Sequence, residues 1–134
     1  MQKITATTIS EYNKLQSPKV KEICDFLGGT ITETLKENEA KIWHGSPVYF
    51  IDGNPIVSYS VRKGDKVALM FFSGQSFVEK NLKPEGKFKA AEIIYTDIKE
   101  IKVTHLRRWL KKAKTIQWDY KNIVKRKGVL ERLV

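Results

Sequence analysis

Apolar residues recur every three or four positions at both ends of the chain and every second position in its middle. The pattern predicts helices flanking a β-rich centre. Val20, Ile23, Cys24, Leu27, Ile31 and Leu35 fall on one face of a long helix. It starts at Ser17-Pro18, where serine suits the cap and proline the first helical position, and is expected to run to about Asn38. Gly28-Gly29 lies inside this stretch, and each glycine weakens a helix by about 1 kcal/mol. The apolar phase carries through both, so one helix is expected, bent at most at the glycines. A shorter helix, from about Ile9 to Gln16, precedes it behind the capping box Thr8-Ile9-Ser10-Glu11.

After Trp43 the period becomes two. Pro47–Asp52, Ile56–Arg62 and Lys66–Phe72 are predicted strands, separated by the turn signals Asp52-Gly53 and Lys63-Gly64-Asp65. The third strand, Val67 to Phe72, is apolar on both faces and is expected at the centre of the sheet. A polar connection over 75–86 leads to a fourth strand, Lys87–Thr96. On the second strand Val57, Tyr59 and Val61 share an apolar face, while Ile56, Ser58 and Ser60 share a half-polar one. The helices must cover the apolar face.

Beyond Asp97 the helical period returns. Ile101, Leu106, Trp109, Leu110 and Ala113 form the apolar stripe of a helix from about Lys102 to Lys114. Another helix is expected from Gln117 to Lys127, burying Ile116, Tyr120, Ile123 and Val124 and ending at Gly128 as the C′ residue. The tail offers Leu130, Leu133 and Val134 for docking. The fold class expected is α+β: a two-layer sandwich with an antiparallel sheet of about four to six strands packed by N- and C-terminal helices.

Composition narrows the class further. A chain of 134 residues with 41% hydrophobic content suits one globular domain, here with a core over about 8–114 and a basic extension over 115–134. No apolar run reaches the length of a membrane span, and the N-terminus lacks the apolar stretch of a secretory signal. Cys24 is a lone cysteine on the buried stripe and reads as a small core residue. A cytoplasmic location is expected. The net charge of +10 is concentrated at one end: residues 102–134 hold eleven Lys or Arg against two Asp or Glu. Such an excess attracts polyanions.

Chemistry-bearing motifs are sparse. His44, His105 and Cys24 lack the pair spacing of a zinc site. No nucleophile-elbow, metalloprotease, phosphate-loop or dinucleotide pattern occurs, so no enzyme is expected. The densest motif is Trp43-His44-Gly45-Ser46-Pro47, expected to join the long helix to the first strand.

The run Ile42-Trp43-His44-Gly45-Ser46-Pro47-Val48-Tyr49, the Gly53 turn and Val67–Phe72 followed by Ser73-Gly74 resemble the YdhG-like family, a bacterial domain of unknown function. The resemblance covers about residues 8–114. Lys87–Glu92 and Ile116–Gly128 look like features of one subgroup. The resemblance implies a frataxin-like α/β sandwich, and one branch of the family is described as an intracellular iron chaperone.

The reading that follows is a non-enzymatic module, monomer or homodimer, that binds a partner or small anionic ligand without a cofactor. Trp43, His44, Pro47, Tyr49, Phe72, Lys87 and Lys89 are the candidate ligand residues, aromatic walls with a few polar groups. A second reading is iron carriage through Glu33 and Glu37. A third is nucleic-acid binding through Arg107, Arg108, Lys111, Lys112, Trp118, Lys125 and Arg126.

Overall fold

The computed structural model describes residues 6–133; Val134 of the expected docking tail lies outside them. The elements run α1 (Ile9–Lys14), α2 (Pro18–Thr34), β1 (Glu39–Trp43), β2 (Ser46–Ile51), β3 (Asn54–Arg62), β4 (Lys66–Phe71), β5 (Lys83–Pro84), β6 (Ala91–Tyr95) and α3 (Val103–Thr115). The six strands form one antiparallel sheet in the order β1-β2-β3-β4-β6-β5. The fold is the α+β sandwich that the periodicities predict, with β3 and β4 at its centre.

One face of the sheet is sealed by the helices. Val57 and Tyr59 of β3 and Val67, Leu69 and Phe71 of β4 are fully buried. They pack with Val20, Ile23, Cys24, Leu27 and Ile31 of α2 and with Leu106, Trp109, Leu110 and Ala113 of α3. Each such leucine- or isoleucine-sized side chain adds about 1.5–3 kcal/mol when removed from water. α2 runs unbroken through Gly28, which lies directly over the Tyr49 and Tyr59 hydroxyls. No helix among the described residues is long and apolar enough to cross a membrane.

Four boundaries differ from expectation. α2 stops at Thr34 rather than Asn38, because Leu35 leaves helical geometry (φ −103°, ψ 73°) to enter the core. The freed residues then form β1, an edge strand exposed along most of its length. Trp43–Pro47 is therefore not a helix-to-strand joint. It is the turn of the β1–β2 hairpin, with His44 at φ 52° and Gly45 at φ 80°. The fourth expected strand is shorter: only Ala91–Tyr95 pairs with β4, while 87–90 bends away and the two-residue β5 caps the edge.

The fourth difference is the stretch Gln117–Lys127, which forms turns rather than a helix. Its backbone groups are claimed by the sheet. Trp118 N donates to Ser73 Oγ (2.9 Å), Asn54 Nδ2 donates to Trp118 O (3.0 Å), and Lys121 N donates to Asn54 Oδ1 (3.0 Å). Those groups are then lost to any helical ladder. Gly128 does close the last turn at φ 87°, donating to Ile123 O at 2.9 Å. Val124, expected inside, is 87% exposed. The chain returns through a bridge between Trp118 and Arg132, and Leu133, half exposed, donates its N–H to Gln117 O.

Candidate functional site

Among the described residues no helix packs on the second face of the sheet. Across it one row of side chains runs through four strands by register: Val48 on β2 faces Ser58 on β3, which faces Met70 on β4, which faces Glu92 on β6. Two residues along β3 lies Ser60, and two further lies Arg62. Arg62 holds Glu92 through a two-pronged pair, Nη1 to Oε1 at 3.0 Å and Nη2 to Oε2 at 2.7 Å. Glu92 is only 9% exposed, so its charge is met locally rather than by water.

At the other side of this floor stands an aromatic wall. The hairpin turn lifts Trp43 and His44 over the sheet, with their ring centroids 4.3 Å apart. Trp43 also meets Phe50 edge-on at 5.7 Å and lies 6.5 Å from Phe72. Phe72 continues the chain of rings to Tyr120 at 5.4 Å, and Tyr120 to Phe88 at 6.3 Å. Between wall and floor is a cleft of about 240 Å3 lined by Trp43, His44, Ser46, Val48, Ser58, Ser60, Arg62, Met70 and Phe72. That volume suits one ring or a short acid, below the usual size of a drug-like pocket.

The structure thus brings three of the seven expected ligand residues together: Trp43, His44 and Phe72. Pro47 and Tyr49 are buried in β2 instead. Tyr49 stands on the opposite, helix-covered side, where burial pushes its hydroxyl up to about 12. Lys87 and Lys89 do not line the cleft. Their ammonium groups lie over Phe88 (5.3 Å), the last ring of the chain, and over Trp118 (4.7 Å). Lys89 N donates to Tyr120 Oη at 3.0 Å, which ties this strand entry to the C-terminal segment. Sequence reasoning missed Ser58, Ser60 and Arg62 as site residues. The signal was present: on β3 they occupy alternate positions opposite Val57, Tyr59 and Val61.

The acidic pair expected to hold iron is not on one helix face. α2 ends at Thr34, so Glu33 is on the helix and Glu37 beyond it. Glu33 borders a surface groove with Asp25 and Asn13, whereas Glu37 pairs with Lys114 at 3.2 Å. Among the described residues no three His, Cys, Asp or Glu converge on a common point. Cys24 is buried, and burial beside Asp25 pushes its thiol up to about 12, so it stays protonated.

The expected nucleic-acid residues divide in two. Arg107, Arg108, Lys111 and Lys112 share the outward face of α3. Trp118 and Arg126 serve the fold instead. The Trp118 indole donates to Ser76 Oγ at 3.0 Å, and Arg126 is paired with the buried Asp119 and with Glu131. Asn122 and Arg126 hold the Asp119 carboxyl below the usual range. Lys125 is exposed in the turn run and does not line the α3 groove.

Comparison with known proteins adds no relative: no family model, no curated protein and no solved structure matches the chain.

Proposed function

We propose that this chain is a small non-enzymatic binding module whose ligand seats in the cleft on the helix-free sheet face. The ligand is a small anion with a flat or apolar portion. The observation that carries this reading is the meeting of the Trp43–Phe72 wall with the Ser58, Ser60 and Arg62 row in one cleft. The rings take the apolar portion and the hydroxyls donate to an acid group, while Arg62, held in place by Glu92, closes the rim. The Ile42–Tyr49 motif and the sandwich architecture support kinship with the YdhG-like family as part of the same reading.

A thermal-shift screen with small aromatic and aliphatic carboxylates and phosphates tests it. A ligand at one hundred times its Kd stabilises by about 2.7 kcal/mol, a shift of several degrees. His44→Asn keeps the left-handed turn, since asparagine tolerates positive φ. It should fold normally while shrinking the shift, and Phe72→Ala should abolish it. A shift left unchanged in both variants would place the ligand elsewhere. No shift with any acid would remove the reading.

A further inference from the structure

Along the outward face of α3 runs a groove of about 520 Å3 whose walls belong to one helix: Thr104, Arg107, Arg108, Lys111, Lys112 and Thr115. These positions form two neighbouring rows over about three turns. From Lys102 to Thr115 the sequence has six Lys or Arg and no Asp or Glu. The two rows differ in how their charge is met. Arg108 donates to Glu79 at 3.0 and 2.8 Å and Lys112 donates to it at 2.6 Å, two cations on one carboxylate. Arg107 and Lys111 have no acidic partner among the described residues.

The segment that delivers Glu79 is strained. Val78 sits at φ 58° and is 91% exposed. A β-branched residue in that region is a conformational outlier. It is held from both sides: Phe77 is buried and its carbonyl accepts from Lys112 Nζ at 2.9 Å, while Glu79 is clamped by both cations. A strained turn so tightly fixed marks a place where surroundings dictate the geometry. Its effect here is to offset one of the two charges of that row, while Arg107 and Lys111 keep theirs in full.

The geometry points to the α3 groove as a docking surface for the phosphate backbone of duplex DNA, read without sequence preference and restrained by Glu79. Duplex DNA presents about one charge per 1.7 Å of axis, and its major groove, about 12 Å wide, admits a helix. Other polyanions fit less well. The apolar side of α3 is committed to the core, with Leu106, Trp109 and Leu110 at most 1% exposed, so the helix has nothing to insert into a lipid surface. The groove has no aromatic side chain on which unpaired bases would stack. Nor does it offer the aromatic anchors of a protein interface.

Fluorescence anisotropy with a labelled mixed-sequence duplex and the full chain tests this. Binding should weaken with salt at about 0.9 log units of affinity per log unit of salt for each phosphate contact. Arg107→Gln together with Lys111→Gln should lower that slope by about 1.8, and both are surface changes. Glu79→Gln, checked for folding by circular dichroism, should raise affinity and steepen the slope by about 0.9, because it releases a cation. Lys125→Gln, which does not line the groove, should leave the slope unchanged. Absence of binding at low salt would overturn the proposal. So would equal binding to a single strand, preference for phosphatidylserine vesicles, an unchanged slope in the double variant, or an equal loss in Lys125→Gln.

Discussion

A Cβ at Gly28 would stand 3.1 Å from the Tyr49 hydroxyl and 3.2 Å from the Tyr59 hydroxyl, whereas one at Gly29 would meet nothing within 4 Å. The Tyr59 hydroxyl is also held, donating to Asn13 Oδ1 at 2.8 Å, and Asn13 in turn donates to Asp25. Alanine gains about 1 kcal/mol over glycine inside a helix. Gly29→Ala should therefore stabilise by roughly that amount. Gly28→Ala should destabilise by about 1 kcal/mol net, since displacing packed core groups costs about 1–3 kcal/mol. Urea midpoints of the two variants would separate them. Glu79 supplies a second test at this scale. Hydrogen bonding from Arg108, with Lys112 beside it, holds its carboxyl well below the usual range. The Trp109 indole N–H faces the same carboxylate but falls outside hydrogen-bond geometry. A depressed folded pKa means the contribution to stability is full above the unfolded value of about 4.3 and fades as pH falls through the folded one. The stability gap between the protein and Glu79→Gln should thus be wide at neutral pH and narrow on acidification below that value.

The β1–β2 hairpin depends on two consecutive left-handed residues, His44 and Gly45. Placing Cβ at the second costs about 1–2 kcal/mol. Gly45→Ala should accordingly speed amide exchange in β1 and β2 before it affects β3 or β4. The C-terminal segment depends on Asn54, 3% exposed, which donates to Gln117 and Trp118 and accepts from Lys121. Asn54→Ala orphans those groups, at about 1–3 kcal/mol for a buried one. Tryptic cleavage at Lys125, Arg126 or Lys127 should become faster in that variant. These two elements are also where sequence patterning fell short. Glu39–Trp43 is an edge strand with four of its five residues exposed, so no alternation marked it. Leu35 kept the helical phase of Ile31 and drew the expected helix too far. In 117–127 the spacing of Tyr120 and Ile123 imitates a helix, yet the decisive partners are Asn54 and Ser73, more than forty residues away. By contrast α1, α2, β2, β3, β4 and α3 were legible, because their burial follows period and turn chemistry alone. The cleft was half legible: Trp43, His44 and Phe72 stand out as candidate site residues in the sequence, but its floor needs the register of β2, β3 and β4.

At the scale of the whole molecule, charge and shape are segregated. The sheet's helix-free face holds a small cleft, and α3, whose apolar stripe packs into the core beneath the sheet's other face, turns its basic side outward. The segment 116–133 spans from α3 to the β2–β3 turn and to the loop after β4, and its Tyr120 completes the ring chain that starts at Trp43. A chain ended at Thr115 should therefore melt several degrees lower and lose cleft binding as well, which differential scanning calorimetry and ligand titration would show together. The three tryptophans lie in three different places in this arrangement. Trp43 is 38% exposed at the cleft, Trp118 is half-buried under Lys89, and Trp109 is 1% exposed. Intrinsic fluorescence is thus a three-channel signal. Acrylamide from solution reaches Trp43 first and Trp109 only when α3 lifts from the sheet. Phenylalanine at any two of the positions leaves one emitter, so occupancy of the cleft, release of the C-terminal clasp and opening of the core are each read from unlabelled protein.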